Sequence, residues 1–377
     1  MKKRMAPTPG LSTAPAGEIT GADYRSASNE AALSASVHSM SAAPEIEGLR
    51  DPYGRLHDYV RISVTDRCNL RCVYCMPEEG LPFFPTDKVL SADEIIHLVE
   101  NFARMGITKI RLTGGEPLLR KDILTIARGI SNVPGITDLS VTTNGLALPR
   151  LAGPLWEAGV KRLNISLDTF DPERYKTITR GGNLKQLLKG LEAAAALPFE
   201  QIKLNTVVIR GQNEDELADF LRYTLDHPVN VRFIEFMPIA ADHAQWEKQY
   251  FGIEQVFDVC QAEGWAYDPI QFAGNGPSEN FRIRGARGSF GLIHPVSCQF
   301  CEGCNRLRVT ADGCLKSCLF WDDEDNIRTE ILDFRAFSEK VQRVLAAKPK
   351  NHEMALDRQE EVKDKRPTWR HMSQIGG

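Results

Sequence analysis

No run of 18 or more apolar residues occurs in the 377 residues, and no apolar stretch with a small-residue cleavage site follows the N-terminus. Neither a membrane span nor a secretory signal is expected. An excess of one charge is lacking too. A formal net charge of −4 provides no general field for nucleic acid or an anionic membrane, so any polyanion must be met by a local basic pocket. A cytoplasmic location without nucleic-acid or membrane partners is therefore expected. Residues 1–47 have few aromatics and many Ala, Ser, Pro and Gly, too little apolar matter for a core. Transit peptides are poor in acid, and Glu18, Asp23, Glu30 and Glu45 speak against one. A disordered N-terminal tail is the expectation. Histidine is sparse and scattered, and a lone His294 is read as packing rather than as a ligand.

The rest of the chain has ordinary globular composition, 42% hydrophobic and 25% charged. Between residues 58 and 236, short β-branched runs alternate with segments of helical apolar spacing, the signature of repeated βα units. Six strands are expected, near Tyr59–Thr65, Lys109–Thr113, Asp138–Thr143, Arg162–Ser166, Lys203–Ile209 and Val231–Phe236. Ser91 with Glu94 marks one helix start, and Asn213 opens another. Periodicity alone does not separate an open sheet from a full or partial barrel, but in either the chemistry sits at the C-terminal strand ends. After about residue 240 the alternation fades into an appended region with strand-like pieces at Gly291–Val296 and Arg306–Thr310. The last stretch, from Lys348, is charged and reads by default as a flexible tail ending in Gly376 and Gly377.

What the chain has in unusual number is cysteine. There are nine, an odd count that argues against a closed disulfide framework. Eight fall in two short regions, Cys68–Cys75 and Cys298–Cys318, and Cys260 alone reads as buried packing. Cys68, Cys72 and Cys75 follow the first strand at intervals of four and three residues. Three thiols so spaced can hold three corners of an iron–sulfur cubane and leave one iron open, whereas structural zinc favours four closed ligands. In the second group Cys301 and Cys304 share one turn and Cys318 returns from a hairpin. Cys298 or Cys314 could add a fourth ligand, so spacing alone leaves a zinc site and an iron–sulfur site open there.

The motif Cys68-Asn69-Leu70-Arg71-Cys72-Val73-Tyr74-Cys75, followed by Met76 and Pro77, resembles the radical S-adenosylmethionine superfamily. Gly114-Gly115-Glu116-Pro117 is similar to that superfamily's glycine-rich element. The run Cys301–Arg308, with Cys318 after thirteen intervening residues, resembles more narrowly the GTP 3′,8-cyclases of molybdenum cofactor biosynthesis. The likeness runs from about Asp58 to Leu319 and includes the Gly376-Gly377 end. It implies an α/β fold, a partial (β/α)6 barrel of parallel strands over 48–240, with a C-terminal cluster-binding and substrate region over 241–345 and a tail over 346–377. Two [4Fe-4S] clusters are implied, on Cys68, Cys72 and Cys75 and on Cys301, Cys304 and Cys318, with S-adenosyl-L-methionine on the first. The implied contacts of that cofactor are Tyr74, Gly115, Ser166 and Met237.

A nucleoside triphosphate carries about four negative charges, which guanidinium groups bind bidentately. Arg61, Arg111, Lys203 and Arg232 stand inside expected strands, and Arg306 and Arg308 share one strand face beside the second cysteine group. Any one of them could instead pair with an acid such as Glu235. By resemblance, Arg61, Arg111, Thr142, Lys203 and Arg306-Leu307-Arg308 contact GTP, and Arg232 is added to them by its place inside a strand. The resemblance then implies that a 5′-deoxyadenosyl radical removes the ribose C3 hydrogen of GTP and that the new radical attacks C8 of guanine. No side-chain acid or base is required, and Glu116 and Asp168 are read as structural or orienting. An electron donor and a downstream cyclic pyranopterin monophosphate synthase are implied partners, and a homodimer is compatible. The rival readings are a radical enzyme that modifies a peptide and a zinc-binding module.

Overall fold

Along each expected strand the apolar residues recur at every second position, so one face packs under helices while the other stays polar. The computed structural model describes residues 48–239, 243–272, 276–297, 300–351 and 368–376, the side chains of 243–245 excepted. The expected N-terminal tail, Cys298 and Gly377 lie outside the described residues. In chain order the strands are β1 Leu49–Arg50, β2 Leu56–His57, β3 Tyr59–Ser63, β4 Lys109–Thr113, β5 Asp138–Thr143, β6 Arg162–Ser166 and β7 Gln201–Val208. Then come β8 Asn230–Glu235, β9 Tyr267–Ile270, β10 Glu279–Ile283, β11 Ser289–Ile293, β12 Arg306–Val309, β13 Cys314–Lys316 and β14 Asp325–Asn326. β1 and β2 form a separate hairpin. The other twelve make one sheet in the order β14-β13-β12-β3-β4-β5-β6-β7-β8-β11-β10-β9.

The six expected strands are β3 to β8, parallel and adjacent in chain order. The sheet is not closed into a barrel among the described residues, in keeping with the partial barrel expected. The two pieces taken as appended are integral to it. β12 adds in parallel to β3 and β11 adds in parallel to β8, so eight parallel strands run without interruption. The paired residues lie 59 positions apart between β11 and β8 and 247 apart between β12 and β3, which is why local patterning assigned these strands to a separate region. No helix among the described residues is long and apolar enough to cross a membrane.

The helix Ala92–Arg104 carries the expected capping box between Ser91 and Glu94. The expectation at Asn213 is corrected: the chain turns first through a 3-10 segment, Glu214–Glu216, before the helix Leu217–Asp226. Asn213 makes no cap because its amide is already used, donating to the carbonyls of Asp168 and Val207 at 2.7 and 2.9 Å and accepting from Ile209.

Alternation divides the sheet cleanly. Val60, Ile62, Ile110, Leu112, Leu204, Val231, Phe233, Leu307 and Val309 lie in one apolar core under the helices. Their neighbours Arg61, Arg111, Thr142, Asn205, Arg232, Arg306 and Arg308 line a cavity on the opposite face. The segment 368–376 packs beside that cavity, which Met372 lines. The short helix Met372–Ile375 is buried, and Gly376 (φ 79) sits where a Cβ would come within 2.6 Å of Thr113. Only glycine fits both the left-handed backbone and the space. Among the described residues, therefore, the last segment is packed rather than a frayed tail. Its anchor is Arg370, whose guanidinium bonds Glu324 at 2.7 Å and Asp312 at 3.0 Å.

Arg370→Met should release this segment, because removing one partner of a buried ion pair costs on the order of 3 kcal/mol. Amide hydrogen exchange of the peptide spanning 372–376 should then rise while β3 to β8 stay protected. Unchanged protection of that peptide would reject the anchor.

Candidate functional site

The loop after β3 must pass very close to the end of β4, and glycine makes this feasible. Gly115 N–H donates to Thr65 O and Glu116 N–H to Arg67 O, both at 2.7 Å. A Cβ on Gly115 would lie 2.3 Å from Arg67 O, and one on Gly114 2.4 Å from Thr65 O. The buried Glu116 carboxylate then gathers the strand ends, accepting from Leu118 N (3.0 Å), Thr143 Oγ1 (2.8 Å) and Asn144 N (2.7 Å). On its other side the loop is held by Arg71 N and Val73 N, which donate to Thr179 O and Ile178 O at 3.0 Å. Arg180 adds bonds to the carbonyls of Arg71 and Met76.

Cys68, Cys72 and Cys75 are half-buried, free thiols on this braced loop. Burial pushes Cys75 up to about 12, and burial with neighbouring negative charge also raises Cys72 well above the usual thiol range. A bound cationic metal group is what would ionise three such thiols together. Ser373 N–H of the C-terminal segment donates to the Cys75 sulfur. Tyr74 Oη donates to Asp168 Oδ2 at 2.8 Å, and Val207 N–H to Asp168 Oδ1 at 2.9 Å, so Asp168 ties the loop to β7. Burial raises Asp168 to about 6 and Glu116 to about 7. Both carboxylates are occupied in bracing backbone, as the orienting role required.

The second group forms where β12 begins. Cys304 N–H closes a turn on Cys301 O at 3.1 Å. The hairpin pairs Arg308 with Lys316 and Val309 with Leu315, so two residues further Cys318 comes level with Arg306. Cys314 lies at the opposite end, bonded to Thr310, and its sulfur meets Asp312 and Arg370. Four residues of strand, about 13 Å, separate it from Cys318. Cys314 therefore lies away from the cavity that Cys301, Cys304 and Cys318 line. Burial opposes ionisation of Cys304, but Arg306, Lys348 and Arg55 outweigh it and bring the thiol down to about 6. Among the described residues the only three metal-ligating side chains within 4.8 Å of one another are Glu235, Glu254 and His294. A single zinc with bonds of about 2.3 Å would draw its sulfurs to within about 3.8 Å of each other. Among the described residues neither cysteine triad is so close. Glu235 is itself saturated, accepting from Val296 N, Ser297 N, Ser297 Oγ and Tyr250 Oη at 2.5–3.0 Å. It braces the loop towards the second group and pairs with none of the arginines.

The strand register sets Arg308, Arg61 and Arg111 side by side on β12, β3 and β4. They share the cavity with Arg232 and Arg306, and among the described residues none of the five has a carboxylate partner. Desolvation and mutual repulsion lower Arg61 to about 10, Arg232 to about 9 and Arg308 well below its usual range. Lys203, facing inward from β7, is pushed down to about 6 by burial and by Arg232 and Arg111. The buried Thr142 Oγ1, Asn205 Oδ1 and Arg61 Nε lack partners. The Arg308 guanidinium reaches the Gly376 carbonyl. The cavity opens to solvent, and the space with its mouth is about 1130 Å³. Met237 lines it, and Ser166 ends β6. Leu307 is corrected: its side chain is fully buried in the core on the opposite face and does not reach the cavity.

Residues 62–224 match the radical SAM superfamily and residues 229–354 match Molybdenum Cofactor Synthesis C. A GTP 3′,8-cyclase of Lactiplantibacillus plantarum is 62% identical over 88% of this chain and 100% of its own. One from Listeria monocytogenes is 55% identical over 87% of this chain and 99% of its own. The chain belongs to the GTP 3′,8-cyclase family. Among solved structures, SuiB of Streptococcus suis bound to S-adenosylmethionine shares the fold, with a TM-score of 0.53 at 14% identity over 79% of this chain and 68% of that one. So does anSMEcpe with bound AdoMet, with a TM-score of 0.51 at 14% identity over 78% and 82%.

Several residues of this GTP 3′,8-cyclase family member escaped the sequence reading. Asn205 has the inward parity of Lys203 on the same strand, so alternation could have found it. Arg55, which donates to Cys301 O at 2.7 Å, and Lys348, which reaches Cys304, lie in no motif and carry no local signal.

Gly115→Ala should displace the cysteine loop, and reductive cleavage of S-adenosylmethionine should fall at least tenfold while GTP affinity stays near wild type. Undiminished 5′-deoxyadenosine formation would contradict the contact. A second expectation concerns protons. With a value of about 6, Lys203 is mostly neutral at about pH 8, and a bound triphosphate would favour its charged form, so binding should take up about one proton. Calorimetry of GTP binding in buffers of different ionisation enthalpy should show that uptake, and Lys203→Met should lose it. Buffer-independent enthalpy would refute it.

Proposed function

We propose that the chain is a radical S-adenosylmethionine enzyme that converts GTP to (8S)-3′,8-cyclo-7,8-dihydroguanosine 5′-triphosphate, an early step of molybdenum cofactor biosynthesis. The observation that carries this reading is one cavity in which five arginines without carboxylate partners face a triad of cysteines. Multiple buried cations without acids call for a polyanion, and a triphosphate supplies the charge.

Among the described residues each donor set is three cysteines, which fits an iron–sulfur cluster with one open iron. A [4Fe-4S] cluster on Cys68, Cys72 and Cys75 with S-adenosyl-L-methionine would supply the 5′-deoxyadenosyl radical, and a second on Cys301, Cys304 and Cys318 would offer its open iron to guanine. The chain's own residues position the substrate. Arg61, Arg111, Arg232, Arg306 and Arg308, with Lys203, hold the phosphates, and the unpartnered atoms of Thr142 and Asn205 can bond ribose or base. Tyr74, Gly115, Ser166 and Met237 surround the cofactor. The buried tail with Gly376 excludes water from the chamber and brings a carbonyl beside Arg308. GTP is thus the substrate, an electron donor is required, and the product passes to cyclic pyranopterin monophosphate synthase. The barrel part, 48–240, supplies the radical, and 241–345 supplies the second cluster and part of the substrate site. A cytoplasmic location suits both the reduced clusters and the substrate.

Anaerobic incubation with S-adenosylmethionine, reductant and each nucleoside triphosphate should yield cyclised product from GTP alone. Protein that holds two zinc and no iron would overturn the reading. Cys72→Ala should abolish 5′-deoxyadenosine formation, whereas Cys304→Ala should spare uncoupled cleavage and lose the cyclised product. Loss of product in Cys314→Ala to the same extent, with the fold intact, would break the three-ligand assignment.

A further inference from the structure

Lys348 stands just beyond the helix Phe334–Ala346, in no motif, yet it is 4% exposed. An ammonium has three hydrogens and no acceptor. Here all three have partners: Arg306 O at 2.8 Å, Ser317 O at 2.7 Å and Cys304 Sγ at 3.6 Å. Arg306 follows Cys304 by two residues and Ser317 immediately precedes Cys318, so one side chain grips both arms of the second cysteine hairpin. No carboxylate among the described residues is within ion-pair distance of it. The groups able to carry an opposite charge beside it are Cys304, whose sulfur it meets, and Cys318, next to the Ser317 carbonyl it holds. A buried ammonium is tolerated when an opposite charge and hydrogen bonds compensate it, and here that charge belongs to the metal-binding cysteines.

The geometry points to a role for Lys348 as a positioning residue of the second metal group: we propose that it fixes the two arms of the hairpin and donates an N–H···S bond that stabilises negative charge on that group. The inference rests on the reading that Cys301, Cys304 and Cys318 hold a cluster. Hydrogen bonds to cluster sulfurs and nearby positive charge favour the reduced, more negative form. Removing them therefore lowers the potential of this cluster and leaves the one on Cys68, Cys72 and Cys75 unaffected.

The test compares wild type, Lys348→Met and Lys348→Arg as anaerobically purified full-length proteins, by iron content, low-temperature electron paramagnetic resonance and redox titration. Wild type should hold about eight irons per chain, two clusters of four; about four would defeat the two-cluster reading itself, independently of Lys348. Given eight, Lys348→Met should shift the reduced-to-oxidised equilibrium of the second cluster at least tenfold, about 59 mV for one electron, towards lower potential. Selective loss of that cluster's iron, with the first cluster's resonance retained, would support the anchoring half, and Lys348→Arg should restore a large part of either loss. An unchanged resonance and potential in Lys348→Met would overturn the proposal. So would equal loss of both clusters, since Lys348 would then support only the fold.

Discussion

Cations taken out of water repel one another and lose their hydration, and in this molecule five arginines without a carboxylate partner among the described residues are gathered with Lys203 on the inner face of one sheet. The strands can carry that load because their opposite face is a continuous apolar core, from Leu307 and Val309 through Val60 and Ile62 to Val231 and Phe233. Hydrophobic burial on one side holds the backbone rigid while the other side remains electrostatically unsatisfied. The strain shows in the depressed values of Lys203, Arg232 and Arg308, and a polyanionic ligand relieves it. The cavity thus selects for charge first, and the unpartnered oxygens of Thr142 and Asn205 add direction.

The two cysteine triads meet opposite electrostatic surroundings. The first loop lies against Asp168 and Glu116, and its thiols are raised by burial and neighbouring negative charge. The second faces Arg306, Lys348 and Arg55, and Cys304 is lowered despite burial. Negative surroundings make an added electron harder to hold, and positive surroundings make it easier. The fold therefore gives the two triads different electrostatic settings, and the second lines the cavity with the arginines. The C-terminal segment spans them, with Ser373 N–H on Cys75 and the Gly376 carbonyl on Arg308.

The sequence alone determined the six central strands, the cap at Ser91, the two cysteine groups and the inward arginines, because alternation and short spacing are local properties of a chain. Glu116 and Asp168 were read as structural or orienting because the implied radical chemistry needs no acid, and their hydrogen bonds to Leu118, Asn144 and Val207 exist only in the fold. Only the tertiary structure decided that β11 and β12 extend the same sheet, that Cys314 stands at the wrong end of its hairpin, and that Leu307 points into the core. It also turned the C-terminal stretch from a loose end into a segment packed beside the cavity, through an anchor at Arg370 whose partners lie 46 and 58 residues away. These contacts join residues remote in sequence, and Lys348 and Arg55 act through backbone carbonyls that any residue could present. Such partners leave no trace in composition, period or spacing, so the chain has to fold before they exist.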